Sequence, residues 1–262
     1  MKQNTILAAV SLALVAASMS AAIAAGAAQP ATAGQPNADT ILRQMSDKLS
    51  AASQFSFKAT REIDAALAAG RGLQAQARIE VVVRRPNAVF GRSMSKDGVR
   101  YLYFDGNTLS IFDAKRNMYA TVPMRTSLDA LPVQLATRYG FVPPLAEFVI
   151  SNPYKDISWR AQTISYAGTG TYRTGFLGLS QVKCYRIALS GKFADSELWI
   201  AVNDQLPRRM TARLKGQTGA TALDIEFLDW NLNAPVTTQE FVFTPPKGAS
   251  EIPIQTALKS KR

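Results

Sequence analysis

The 262-residue sequence contains no histidine and a single cysteine, Cys184. Without histidine there is no Ser-His-Asp or Cys-His nucleophile pair, no HExxH zinc site and no imidazole acid or base near neutral pH. A lone cysteine excludes an internal disulfide, a CxxC redox pair and a cysteine-rich metal site. The residue types point to no cofactor and no metal. Acidic residues are scarce as well: 19 Asp and Glu stand against 30 Lys and Arg, a formal net charge of +11. No internal repeat, charge block or Ser- or Pro-rich linker interrupts the later chain. What is present is enough for a packed core, since 47% of residues are hydrophobic and only 19% charged, a balance that folds rather than stays disordered.

The one long apolar run is N-terminal. Lys2 forms a short positive region, Ile6 to Ala17 is apolar apart from Ser11, and small residues follow to Ala28. This reads as a secretory signal peptide over residues 1–24. Ala22-Ile23-Ala24 and Ala25-Gly26-Ala27 place cleavage after Ala24 or Ala27. The run is shorter than the roughly 20 residues a spanning helix needs, and no cysteine stands near the cleavage site to carry acyl chains. The mature protein is therefore expected to be soluble, not lipidated, and periplasmic. Residues 25–38, rich in Gln, Pro, Ala, Thr and Gly, read as a flexible lead-in. Residues 39–262 then fit one domain.

Asp39 is a candidate N-cap for an amphipathic helix carrying Ile41, Leu42, Met45 and Leu49, ending near Ala52. Period two takes over at Phe55 and Phe57 and again at Ile79, Val81 and Val83. Asp97-Gly98 and Asp105-Gly106 are hairpin turn signals bounding Val99 to Phe104 and Thr108 to Phe112. Ser127 to Gly140 predicts a short helix with Leu128, Leu131, Val133, Leu135 and Tyr139, and Leu145 to Ile150 a second apolar turn ended by Asn152-Pro153. Further strands follow at Thr163 to Tyr166, Val182 to Leu189, Ser196 to Val202, Arg208 to Lys215 and Ala222 to Trp230. In Arg209 to Lys215 every odd position is polar and every even one apolar, so one face meets water and the other a core or cavity. The helices are too few to cover both faces of such a sheet. The expectation is a mainly β protein: a strongly curved antiparallel sheet forming an unclosed half-barrel, with the N-terminal helix and short inserted helices against its concave face.

Four segments in order resemble a known family. Asp97-Gly98 followed by Tyr101 to Tyr119, with Asp105-Gly106 inside it, resembles the "DG…L…YD…Y" hairpins of periplasmic proteins of the LolA/LolB/RseB-like superfamily, the outer-membrane lipoprotein carriers and their relatives. Arg85-Pro86-Asn87 sits at the family's "RP" turn. Leu198-Trp199-Ile200 followed by Leu206-Pro207-Arg208 is similar to its "LWID…LP" hairpin, and Phe241 to Gly248 to its closing "F-x-F-x-P-P-x-G" element. The chain most resembles an uncharacterised periplasmic subgroup. The resemblance implies a half-barrel with a helical lid, an apolar interior for acyl chains or lipoprotein, and no catalytic residues. It also implies a lid-closing arginine, for which Arg61 is a candidate beside the alternative of a solvated side chain.

The candidate ligand contacts are the alternating strand positions Val81, Val83, Tyr101, Tyr103, Leu109, Ile111, Ile187, Leu189, Leu198, Ile200, Met210, Leu214, Ile225 and Phe227. They either line a cavity or pack on the lid helices, and burial is worth about 1.5 to 3 kcal/mol per large side chain in both cases. Tyr101 and Tyr103 stand out because a buried phenol needs a partner and can orient a ligand's polar end. The positive charge suits an anionic membrane surface or acidic lipid, or else keeps a β surface soluble through Arg84, Arg85, Arg208, Arg209, Arg213 and Lys215. No nucleic-acid motif is present. Gly168-Thr169-Gly170 with Gly175 does not make a nucleotide loop. Asp224, Glu226 and Asp229 pair more simply with neighbouring cations than as glycosidase carboxylates. The functional expectation is a non-enzymatic periplasmic carrier or binding protein for a lipid or acylated lipoprotein, handing it to a membrane-surface or membrane-protein acceptor. The alternative is a periplasmic sensor or adaptor that binds an envelope-stress or membrane protein partner and is modulated by lipid.

Overall fold

The computed structural model describes residues 36–64, 75–143, 145–174, 179–215 and 223–254. The expected signal peptide and most of the lead-in lie outside these residues. Helix α1 (Ala38–Ser50) begins one residue before Asp39, and its cap is Asn37, whose side chain accepts from the Thr40 amide at 3.0 Å. Asp39 lies inside the first turn, where a carboxylate suits the helix dipole, and pairs with Arg43. Ile41, Leu42, Met45 and Leu49 form its buried stripe.

The chain then runs as a meander: β1 (Gln54–Ile63), β2 (Gln76–Arg84), β3 (Ala88–Ser95), β4 (Gly98–Phe104), β5 (Thr108–Asp113) and β6 (Met118–Pro123). Both expected Asp-Gly turns form, with Gly98 at φ 125° and Gly106 at φ 94°. A side chain at Gly106 would meet Asn87 at 2.3 Å, so the turn needs glycine for space as well as for φ. Three helices follow: α2 (Leu131–Tyr139), α3 (Ala146–Val149) and α4 (Pro153–Arg160). Gly140 stops α2 in the left-handed conformation, and Leu128, Leu131 and Leu135 are buried while Val133 is 67% exposed. The second apolar turn ends at Val149, ahead of Asn152-Pro153 as expected, but that pair also has a further role. It starts α4, with Pro153 in the first turn and the Asn152 side chain accepting from the Lys155 amide at 2.9 Å, because proline is compatible with a helix start and asparagine is a strong cap.

A second meander returns through β7 (Ala161–Thr174), β8 (Ser180–Gly191), β9 (Ala194–Ala201), β10 (Pro207–Leu214) and β11 (Leu223–Asn231). A 3-10 turn (Thr238–Phe241) and a short β12 (Ser250–Glu251) complete it. All twelve strands form one sheet in the order β12-β6-β5-β4-β3-β2-β1-β11-β10-β9-β8-β7. The first meander grows outward from the centre, the helices cross to the far edge, and the second grows back until β11 pairs with β1. Every pairing is antiparallel except β12 with β6, which is parallel. The sheet is strongly curved and left open between β7 and β12, with the helices on its concave side. Among the described residues no helix is long and apolar enough to cross a membrane.

Both faces of the sheet carry apolar side chains, and the ladder assigns them. Directly paired residues share a face, so Phe104, paired with Val89 and Leu109, points with them into the main core. Its neighbour Tyr103 points to the convex side. There Phe90, Tyr101, Tyr103, Phe112 and Tyr119 form a patch that Phe243 covers, 5.3 Å from Tyr103 and 5.2 Å from Tyr119 between ring centroids. A smaller convex cluster joins Tyr172, Cys184, Ala201 and Trp199. Burial pushes the Cys184 thiol up to about 11, and burial with the Glu226 charge pushes Tyr172 up to about 12.

A roofed concave face as the candidate site

The concave face is largely apolar. Val81, Val83, Leu109, Ile187, Leu189, Leu198, Ile200, Ile225 and Phe227 lie on it and join a single core cluster with Ile41, Leu42, Met45 and Leu49 of α1, Leu131 and Leu135 of α2, and Phe148 and Val149 of α3. Ile111 and Met210 are half-buried against the same cluster, and Leu214 is a half-buried position of the same parity as Met210. Tyr101 and Tyr103 are not on this face, contrary to expectation. Leu102 and Phe104 take the inward positions of β4 because their partners Ile111 and Leu109 are inward, and the tyrosines therefore alternate outward. The phenol end of Tyr103 is held partly away from water on the convex side, and that burial raises its pKa.

Beneath α3 the floor is aromatic. Phe227 meets Phe148 edge-on at 4.8 Å and Phe57 at 5.9 Å, and Trp230 lies 4.5 Å from Phe57. Trp230 reaches this side because the β1–β11 register shifts between Ser56 and Lys58, with Asp229 at φ 49°, a bulge that re-aims the following side chain. Its indole N–H donates to the Pro207 carbonyl at 2.9 Å.

The helical roof is fastened by a few polar bonds. Arg85, in the turn after β2, donates from one guanidinium nitrogen to the carbonyls of Leu49 (3.0 Å) and Ala52 (2.6 Å) and from another to that of Ile150 (2.8 Å). One side chain of the sheet thus ties the end of α1 to the end of α3. These contacts between turn and helix ends are made by Arg85. Fan-shaped donors suit this task because last-turn carbonyls have no helical partner. The helices are also tied to one another: the Tyr154 hydroxyl donates to Asp39 at 2.6 Å, the Tyr154 amide donates to the Ser46 hydroxyl at 3.0 Å, and the Ser50 hydroxyl donates to the Ser151 carbonyl at 2.6 Å. The Tyr154 hydroxyl bond holds the Asp39 carboxyl below its ordinary range, with Arg43 adding to it against the cost of burial.

Arg61 is not solvated. On β1 the inward positions run Phe55, Phe57, Ala59, Arg61, and Arg61 is 7% exposed. Arg100 occupies the inward row of β4, opposite Ser93 and Asp113. Asp113, 5% exposed, accepts from Arg100 at 3.4 Å and from the Arg116 guanidinium at 2.7 Å. Burial raises the Asp113 pKa, but the Arg116 bonds and the two arginine charges outweigh it and hold the carboxyl below its usual value. Two of the three carboxylates considered for hydrolytic chemistry are engaged in ion pairs: Asp224 is paired bidentately with Arg209, and Asp229 lies 3.3 Å from Lys58.

The fold is thus a curved open sheet with an apolar concave face under a helical roof. The chain belongs to the family described as "Predicted periplasmic protein (DUF2092)", which matches residues 38–255. Among curated proteins no sequence matches it. Solved structures to which it is similar include the MucA/MucB complex of Pseudomonas aeruginosa (17% identity, TM-score 0.44, 79% of this chain and 61% of that one). Others are a LolA superfamily protein of Nitrosomonas europaea (12%, TM-score 0.36, 80% and 99%) and the lipoprotein LppX of Mycobacterium tuberculosis (13%, TM-score 0.41, 76% and 97%). The chain thus spans about three fifths of the MucB-containing chain it matches.

Proposed function

We propose that the protein is a periplasmic carrier or binding protein that holds the acyl chain of a lipid or lipoprotein between the concave face and the helical roof. The observation that carries this reading is the way the roof is attached. The helices meet the sheet mainly through apolar side chains, and Arg85 with the Leu128 amide, which donates to the Pro86 carbonyl at 2.9 Å, adds polar fastening at one turn. A roof that rests on the sheet mainly through apolar contacts can lift and offer an apolar bed to a ligand in its place, since such contacts are non-directional and an acyl chain can replace them. The exported protein starts after residue 24 or 27 and works free in the periplasm.

Native mass spectrometry of the mature protein, purified from periplasm, tests the reading. The expected result is a bound mass that solvent extraction identifies as lipid, with uptake of added fatty acid or phospholipid increased in Arg85→Ala. A clean unliganded mass that takes up neither overturns it.

One observation favours the second reading, a lipid-modulated adaptor. β7 is a 14-residue strand paired with β8 alone among the described strands, and an open edge can accept a strand from a protein partner. Its mark is an affinity for that partner that changes when lipid is added.

A further inference from the structure

We propose that one corner of the molecule, where the last turn of α4 meets the tip of the β8–β9 hairpin, docks the protein on an anionic lipid bilayer. The proposal stands apart from the acyl-binding reading, because contact with a membrane surface needs no cavity.

The corner is assembled by strand pairing. β7, β8, β9 and β10 are successive antiparallel neighbours, so the start of β7, the end of β8, the start of β9 and the end of β10 all lie at one end of the sheet. Ala161 opens β7 opposite Gly191, which brings the residues just before it, Trp159 and Arg160, beside the turn Lys192-Phe193. The fit is close: a side chain at Gly191 would meet the Arg160 carbonyl at 3.0 Å. From β10 the Lys215 amide donates to the Phe193 carbonyl at 2.9 Å.

Two aromatic side chains are exposed at this corner. Trp159 is 80% exposed, more than any other large hydrophobic side chain among the described residues, and Phe193 is 40% exposed. One exposed apolar side chain is ordinary. An indole and a phenyl ring set among cations instead have the composition of a membrane-interface contact, where tryptophan sits at headgroup level and basic side chains meet anionic lipid. The Lys192 ammonium lies 5.2 Å from the Phe193 ring centroid. Arg160, Arg213 and Lys215 are exposed around it, and the carboxylates here are fewer: Asp156 pairs with Arg160 and Asp195 with Lys215. The charge balance therefore favours an anionic surface. Both rings stand on projecting ends, a helix terminus and a hairpin tip, and a fluid bilayer accepts such projections without a matching hollow. Because α4 is joined to α1 through Tyr154, docking here sets the end of the roof against the lipid.

Co-sedimentation of the mature protein with vesicles of equal parts phosphatidylethanolamine and phosphatidylglycerol, and with vesicles of phosphatidylcholine, tests the proposal. Binding to the anionic vesicles is expected, weakening as salt is raised, with a blue shift of tryptophan emission as the Trp159 indole leaves water. Trp159→Ser should weaken binding about tenfold and abolish the shift, and Lys192→Gln should weaken binding about fivefold, both with the unfolding curve of wild type. Leu179→Ser, which removes a 76% exposed side chain at the opposite end of the same strands, should change neither. Wild type that binds neither vesicle or both equally, binding unchanged in Trp159→Ser, or an equal loss in Leu179→Ser overturns the docking corner. So does a lipid-free dimer in sedimentation velocity that Trp159→Ser dissolves, which would assign the corner to a second copy of the chain. Acyl uptake in native mass spectrometry can succeed or fail without altering any of these outcomes.

Discussion

The two faces of the sheet are built from the same strands by the same alternation, yet they do different work. The concave face gathers side chains from the helices and most strands into one cluster. The convex face breaks into an aromatic patch covered by Phe243, a small cluster around Cys184, and cross-strand ion pairs such as Arg186–Glu197 and Arg209–Asp224. The difference lies in what covers each face. A roof of helices merges rows of side chains into a common core, whereas a single extended segment shields only the strands it crosses.

Core truncation tests this contrast most strongly. Phe227→Ala on the concave face should lower the unfolding free energy by about 3 to 5 kcal/mol in urea titration, and Tyr103→Ala on the convex face by only about 1 kcal/mol. Equal losses would mean that the convex patch is a second core. The latch comes next. Arg85→Ala strands buried carbonyls and should cost about 2 kcal/mol, with amide exchange accelerated in α1 and α3 but not in β1, β2 or β11. Uniform acceleration would show that roof and sheet open together.

The inward carboxylate offers a finer test. Because the folded pKa of Asp113 is lowered, its contribution to stability is complete above the ordinary carboxylate range and disappears as pH falls through the lowered value. Wild type should therefore exceed Asp113→Asn by a constant margin above about pH 5, and the margin should shrink in more acidic solution. A margin that grows on acidification would contradict the sign. The smallest effect belongs to the exposed convex pair: Lys58→Ala should change stability by less than about 0.5 kcal/mol.

Much of the fold is legible in the sequence because period two and Asp-Gly turns are local signals. Phe55, Phe57, Val81 and Val83 announce their strands, and Gly98 and Gly106 their hairpins. The face of β4 is not legible in the same way. In Val99-Arg-Tyr-Leu-Tyr-Phe both alternating sets are apolar or aromatic, so only the pairing with Leu109 and Ile111 decides that Leu102 and Phe104 turn inward. Arg85 was visible as part of an Arg-Pro turn, but its partners lie 33 to 65 residues away, beyond any local pattern. Arg61 did carry a local sign. It continues the period-two row Phe55, Phe57, Ala59, so its burial follows from the alternation. Helix α4 was missed because a proline that can end one helix can equally open the next.

The pairing of β1 with β11 also governs how the chain must fold. Ser56 to Ile63 lie beside Leu223 to Asn231, so the centre of the sheet joins segments separated by most of the described sequence. Such a seam closes a very long loop and is expected to form slowly. During synthesis from the N-terminus, β1 can pair with β2, but its other edge stays open until residue 223 and its successors emerge. The newest segment of the chain, rather than the oldest, commits the molecule to its final shape, and until then the apolar row that will become the middle of the protein lies on its border.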